Sequence, residues 1–234
     1  MHIIAHIRTD FPTKFGIPRQ SGLIDELAGR VVFEEEYRSA EALRGLEGFS
    51  HIWLIWQFSE AVREGWSPTV KPPRLGGNRR MGVFATRSPF RPNPIGLSCV
   101  RLERIEFGTP EGPVLHVRGA DLMDQTPIYD IKPYLPYADC RPEATDGFAG
   151  AVFTDALEVD FPPTLLALLP EDRREAAVKL LSQDPRPGYK RDGARRYGVP
   201  FAGYDLRFTV QDGVLRVCEV TPLDEMDGHT EDNA

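Results

Sequence analysis

Two short stretches hold residues whose types and spacing could do chemistry. The first runs Gly82-Val-Phe-Ala-Thr-Arg-Ser-Pro-Phe-Arg-Pro-Asn-Pro-Ile-Gly-Leu97. In it Pro89, Pro92 and Pro94 each fix their own φ and push the preceding residue towards an extended shape. A stiff, irregular crossing results, holding Arg87, Arg91 and Asn93 at set angles. Two guanidinium groups and an amide on a rigid loop suit a phosphate, a carboxylate or a base edge. A proline-rich surface turn with solvated arginines is the plainer alternative. The second stretch is Tyr129-Asp-Ile-Lys-Pro-Tyr-Leu-Pro-Tyr137. Asp130 and Lys132 are two apart, so an extended backbone puts them on one face with Tyr134 next along it. A carboxylate, an ammonium and a phenol in a row can position and move a proton. They can equally form an exposed ion pair worth ~0–1 kcal/mol. Spacing alone leaves both open.

Charge distribution favours the first, chemical reading of the proline-rich loop. From Gly65 to Leu102 there is no Asp or Glu, while Lys71, Arg74, Arg79, Arg80, Arg87, Arg91 and Arg101 make seven cations. The chain carries 28 basic and 35 acidic residues, so the remainder holds 21 against 35, or −14. A +7 segment on a −14 background is a local field for an anionic partner on a chain that otherwise repels polyanions. A second basic cluster, Arg186, Lys190, Arg191, Arg195 and Arg196, is opposed only by Asp192.

Other chemistries are excluded by what is missing. There is no G-x-G-x-x-G after a strand, no Walker loop, no G-x-S-x-G elbow and no H-E-x-x-H. Cys99, Cys140 and Cys218 are widely spaced, and the five histidines, His51 among them, are scattered, so neither a disulfide framework nor a metal site is expected. No stretch reaches the ~18 apolar residues of a membrane span, and the N-terminus lacks a signal-peptide pattern. A cytoplasmic, reducing setting is the expectation.

The elements that must position these residues are mostly strands. Twenty-one Gly and 21 Pro suit a strand-rich fold with many turns. Strands are expected at 2–8, from Leu23 to Phe33, at His51–Phe58, from Met81 to Ala85, from Ile95 to Glu106 with a bend, and at Val114–Gly119. The apolar run His51-Ile-Trp-Leu-Ile-Trp-Gln-Phe58 reads as a strand covered on both faces. A helical turn is expected from Ser39, as N-cap, to Gly45. Gly76-Gly77-Asn78 could bring backbone N–H groups to an anion. Residues 138–160 read as a linker or rim. Leu165 to Ser182 reads as the helical region, with Pro170 at the first helical position, Glu171 and Asp172 at the helix start, and Val178, Leu180 and Leu181 as its apolar contacts. Asp212-Gly213 predicts a hairpin joining Tyr204–Val210 to Val214–Val220. The acidic tail after Leu223 should fray. The fold class is mainly β: a β-barrel N-terminal domain, residues 1–145, with short peripheral helices, then a small α+β C-terminal domain, residues 155–225. Barrels of this kind bind small ligands at the mouth, on the loops.

Pro18-Arg-Gln20, Arg74-Leu-Gly-Gly-Asn78, the Gly82–Gly96 stretch and Asp130-Ile-Lys-Pro-Tyr-Leu-Pro136 together resemble the TsaA/TrmO family. That family comprises barrel-type methyltransferases acting on N6 of threonylcarbamoyladenosine beside the tRNA anticodon. Residues 1–145 resemble its barrel domain, and Asp184-Pro-Arg-Pro-Gly-Tyr189 its smaller C-terminal domain. The resemblance implies S-adenosylmethionine as donor, held without a Rossmann fold, and a homodimer with the donor near the subunit interface. Carried onto this chain, donor contacts come from Pro18, Arg19 and Gln20, from Phe58 and Ser59, from Arg87 and Leu97, and from Met123, Asp124, Gln125 and Thr126. Where the family carries small residues before Thr126, this chain has Gln125.

An N6 nitrogen bearing a carbamoyl group is a poor nucleophile, since its lone pair is delocalised into ring and carbonyl. Transfer needs that N–H deprotonated or strongly hydrogen-bonded as the methyl approaches in line. The catalytic set expected is therefore Asp130 accepting or orienting the proton, Lys132 offsetting charge, Tyr134 stacking on or hydrogen-bonding the base, and Asn93 with Arg91 holding the threonyl carboxylate or the base. Lys71, Arg74, Arg79, Arg80, Arg91, Arg186, Lys190 and Arg191 are the expected contacts to tRNA phosphates in the anticodon arm. Two other classes compete: a non-catalytic adenosyl-ligand or RNA-binding module, and a hydrolase of a small anion, the latter short of a nucleophile–base pair.

Overall fold

The computed structural model describes residues 1–72, 79–150, 156–186 and 195–225. Arg74, the Gly76-Gly77-Asn78 turn, Lys190, Arg191 and the end of the acidic tail lie outside those residues. Period-two alternation builds the first sheet. Strand β1 (Ala5–Thr9) buries Ala5 and Ile7, and β2 (Ala28–Phe33) buries Val31 and Phe33. Strand β3 (His51–Gln57) points Ile52, Leu54 and Trp56 inward. A two-stranded ribbon, β4 (Thr69–Val70) with β5 (Met81–Gly82), precedes the long β6 (Ile95–Thr109). Then come β7 (Gly112–Arg118) and β8 (Thr126–Pro133). Six strands close in the order β1-β2-β7-β6-β3-β8, with every neighbouring pair antiparallel. Closure leaves no edge to protect. Two register shifts along β6, between Leu102 and Arg104 and between Glu106 and Thr109, supply its bend.

A turn of helix, α1 (Pro136–Asp139), follows the barrel. The second sheet runs β10 (Tyr197–Phe201), β11 (Tyr204–Gln211), β12 (Val214–Pro222), β9 (Glu158–Asp160), with β9 parallel to β12. The expected hairpin is there: Asp212 and Gly213 both take positive φ, 51° and 83°, as a two-residue turn requires. Helices α2 (Pro163–Leu166) and α3 (Glu171–Ser182) cover this sheet. No helix among the described residues is long and apolar enough to cross a membrane.

Several expectations give way to tertiary packing. The helical region expected over 165–182 is present as two helices, α2 and α3, and Pro170, with ψ 139°, is the N-cap of α3, one residue before the first helical position expected for it. A proline there offers no N–H to continue α2. Ala176 and Ala177, not Val178, join Leu180 and Leu181 in the core. The strand expected over Met81–Ala85 stops at Gly82, where Val83 turns inward and its N–H bonds to Pro68 O at 2.9 Å. Ser39 precedes a 3-10 turn, Ala40–Leu43, without a side-chain cap bond. The supposed linker contains α1 and the strand β9. Strand β3 is covered on one face only; Trp53 and Ile55 lie on the outer wall, half-buried.

Strand β2 begins at Ala28, not Leu23, because the preceding segment belongs elsewhere. Phe11, Ile24 and Leu27, with Ile17, pack into the core of the second sheet beside Leu180, Val199 and Phe201. Phe11 and Phe201 have ring centroids 5.4 Å apart. Gly16, at φ 84°, passes so near Val199 that a Cβ would collide with it. Asp10 adds an ion pair with Arg173 of α3 at 2.6 Å, and Asp10 O accepts Ala202 N–H. Residues 10–27 thus bridge the two cores. Replacing Phe11 by Ala should cost about 3–5 kcal/mol of unfolding free energy, as for other fully buried rings. Because the bridge carries residues 18–20, chemical denaturation should also show loss of affinity for any ligand held there.

Candidate active site

Antiparallel closure decides where the loops lie. Thr9, Ala28, Gln57, Ile95, Arg118 and Thr126 fall at one end of the barrel, as the strand registers require. Residues 10–27, 58–94 and 119–125 therefore share one rim. All expected donor contacts except Leu97 belong to these segments or their first flanking residue. Arg87 donates to Gln20 Oε1 across two of them. Phe58 N–H bonds to Pro94 O at 2.8 Å, pinning the exit of the proline loop to the end of β3. In the third segment, Asp124 Oδ1 accepts Thr9 N–H at 3.0 Å and Thr126 Oγ1 donates to Met123 O at 2.7 Å. Gln125 occupies left-handed backbone, φ 62°, a conformation that glycine adopts without the Cβ penalty. Pro18 is buried; Arg19 is exposed.

The proline loop is stiffened by more than its prolines. Thr86 Oγ1 donates to Val83 O at 2.8 Å and accepts Ser88 N–H at 3.2 Å, and Ser88 Oγ accepts Phe90 N–H at 3.2 Å. These hydroxyls satisfy the backbone where no ladder runs. Arg91 donates to Thr86 O at 3.2 Å, while the Asn93 side chain is exposed. Gly96 follows, and a Cβ there would overlap the Trp56 indole.

Asp130, Lys132 and Tyr134 share a face, as their spacing requires, but it is the outer wall of β8 and not the rim. Asp130 and Lys132 form an ion pair at 2.9 Å, with both side chains largely exposed. Asp130 Oδ1 also accepts Ile131 N–H at 2.9 Å. The Tyr134 ring lies 5.8 Å from Trp53 and 6.2 Å from His51. Across the wall Asp130 pairs with Ile55, and Ile55 with Leu97. The Asp130–Lys132–Tyr134 row and Leu97, expected as a donor contact, thus meet on a surface separate from the Arg87–Gln20 contact.

Beside the rim opens a cleft of about 1620 Å³, between the loops 16–23 and 84–94, residues 61–72 and the end of α3. Small-ligand sites occupy roughly 300–1,000 Å³, so this one has room beyond a single cofactor. Among the described residues Lys71, Arg79, Arg80, Arg87 and Arg91 make no ion pair. Arg101 differs: it forks onto Asp25 at 2.9 and 2.6 Å. Arg186 likewise forks onto Asp184 at 2.7 and 2.9 Å and is nearly enclosed, so its charge is neutralised within the chain. No group of three or more His, Cys, Asp or Glu placed to hold a metal occurs among the described residues.

Two family profiles match the sequence: the tRNA-methyltransferase O N-terminal domain over residues 6–140 and the TrmO C-terminal domain over 154–223. The chain belongs to the tRNA-methyltransferase O family. A tRNA (adenine(37)-N6)-methyltransferase of Escherichia coli is 40% identical over 227 residues, covering 94% of this chain and 96% of that one. One from Eikenella corrodens is 48% identical, covering 72% and 95%. A crystal structure of TrmO from Pseudomonas aeruginosa superposes with a TM-score of 0.74 at 34% identity, over 94% of this chain and 99% of that one. As a member of this family the chain is a methyltransferase enzyme.

Within this TrmO-family chain, one polar residue at the rim escapes a sequence reading. Asp121 accepts Ser98 Oγ at 2.6 Å, and Ser98 in turn accepts Trp56 Nε1 at 2.9 Å. Ser21 N–H and the Arg87 charge also face it. Asp121 therefore joins β6, β3 and the two loops that carry Gln20 and Arg87. Burial raises its pKa to about 6, against the smaller lowering effects of the Ser98 hydrogen bond, backbone N–H groups and Arg87. Nothing in the sequence marks it, since its enclosure is assembled from distant segments. The folded chain holds this proton more tightly than the unfolded chain. Stability from this group is thus present below about pH 4 and lost as pH rises through about 6. Relative to the wild type, Asp121→Asn should gain on the order of 3 kcal/mol between pH 4 and pH 7. Urea titrations across that range check it, and a pH-independent difference would refute it.

Proposed function

We propose that this chain transfers a methyl group from S-adenosylmethionine to N6 of adenosine 37 in tRNA, the substrate base being threonylcarbamoyladenosine. The single observation that carries the reading is the gathering of three separate loops at one barrel rim, beside cations that make no ion pair among the described residues. The residues present fit the donor. Arg87 and Gln20 offer a guanidinium and an amide for an amino-acid carboxylate. Asp124 offers a carboxylate for an ammonium group, Pro18 and Phe58 offer apolar groups at the same rim, and Leu97, on the outer wall, would meet an adenine only from a second copy of the chain. When bound, the donor supplies an electrophilic methyl on a sulfonium centre.

On this reading Asp130 accepts or orients the N6 proton and Lys132, 2.9 Å away, offsets the charge that develops. Tyr134 presents a ring and a hydroxyl to the base from the same wall. Asn93 and Arg91 hold the threonyl carboxylate or the base edge. In a single chain the row of Asp130, Ile55 and Leu97 is open, with Leu97 54% exposed. A homodimer packed on this wall would exclude water from it and bring the row against a partner's rim, which strengthens each charge interaction. Lys71, Arg79 and Arg80, with Arg91, take phosphates of the anticodon arm, and Arg74, Lys190 and Arg191 belong to the same basic segments.

Asp130→Asn should lower methyl transfer to bulk tRNA about 10²–10⁴-fold while donor affinity by calorimetry stays near wild type; undiminished transfer excludes the role. Affinity for tRNA should fall steeply between low and high salt, with a log–log slope near −0.9 per phosphate neutralised. A flat salt dependence would remove the phosphate contacts from the scheme.

A further inference from the structure

Three large aromatic side chains line the cleft without belonging to either core: Trp66 is 54% exposed, Phe84 72% and Phe90 43%. They are held in place and not loose. The Trp66 and Phe84 rings lie 6.0 Å apart with their planes 32° from parallel. The Arg63 guanidinium sits 4.0 Å from the centroid of Phe90. Val83, the neighbour of Phe84, is buried and bonded to Pro68 O, which fixes the two segments against one another. Leaving three rings in water forgoes about 25 cal/mol for each Å² of apolar area. A grouped set of rings in a concave, cationic site is the arrangement that marks a binding surface.

Building on the reading of this chain as a tRNA methyltransferase, we propose that Trp66, Phe84 and the Arg63–Phe90 pair form a stacking platform for unpaired nucleotides flanking the target adenosine. Proteins that read single-stranded loops stack splayed bases on aromatic faces and guanidinium planes. The same cleft is lined by Lys71 and Arg91, which make no ion pair among the described residues and can take the intervening phosphates. Glu64 and Asp146 also line the cleft, so its field is mixed. Charge alone would be a weak reader of RNA here. Stacking supplies what charge does not, and it tolerates any base, as a loop of variable sequence demands. The cleft, about 1620 Å³, has room for a donor and for bases together.

The test uses an anticodon stem-loop in which unpaired nucleotides beside the target are replaced by abasic sites. This keeps every phosphate and removes the faces that stack. The wild-type chain should bind the abasic loop about 5- to 100-fold more weakly per lost base, measured by fluorescence anisotropy at fixed salt. The double variant Trp66→Leu/Phe84→Leu should bind the intact loop with a similar loss and no longer distinguish it from the abasic one. Its affinity for S-adenosylmethionine should be unchanged, and Trp66→Tyr should restore discrimination. Phe84→Leu alone, at a surface position, should give a partial loss. Equal binding of intact and abasic loops by the wild type would overturn the platform, as would retained discrimination in the double variant. Wild-type chain that methylates no tRNA at all would instead sink the functional reading on which the platform rests.

Discussion

Closure of an antiparallel ladder is the constraint from which the rest follows. When six strands close with every neighbour running the opposite way, connections must alternate between the two ends of the barrel. Here the three connections that carry arginine, amide and carboxylate groups fall at one end. Their sequence separation, from Pro18 to Thr126, is then irrelevant to their proximity. The barrel interior is filled by Ile7, Val31, Ile52, Leu54, Leu115 and Ile128, so ligands are confined to the rim and the outer wall.

The second unit contributes to the same rim through an apolar exchange. Segment 10–27 leaves the barrel, buries Phe11, Ile17, Ile24 and Leu27 under the β10–β12 sheet, and returns as β2. A loop that presents Pro18, Arg19 and Gln20 would otherwise have backbone groups and few contacts to hold it. Packing one side of it in a hydrophobic core restricts its freedom before any ligand arrives, which reduces the ordering cost of binding. The proline loop achieves the same end by different means, through fixed φ angles and the hydroxyls of Thr86 and Ser88. Asp121 ties the two together, with Ser98 and Trp56 behind it. Rigid support on both sides of a donor site is what in-line transfer asks for.

Two surfaces emerge with different characters. The outer wall of β3, β6 and β8 is half apolar, bearing Trp53, Ile55 and Leu97 beside the Asp130–Lys132 pair. The cleft is wide, aromatic and of mixed charge, with Arg87, Trp66, Phe84 and Phe90 among its lining.

Much of this was legible in the sequence. Loose alternation gave β1, an apolar run gave the position of β3 though not its open face, Asp212-Gly213 gave the β11–β12 hairpin, and spacing put Asp130, Lys132 and Tyr134 on one face, because these depend on local geometry. The motifs around Pro18, Arg87 and Asp130 carried the family. Folding alone decided that β3 has an open face and that residues 24–27 leave the barrel. Folding also split the helical region before Pro170, paired Arg101 and Arg186 with carboxylates, and made Asp121 the enclosed acid of the rim. Burial and charge pairing are set by distant segments, 76 residues apart in the Arg101–Asp25 pair, and no local pattern encodes which side chains the closed ladder will bring together.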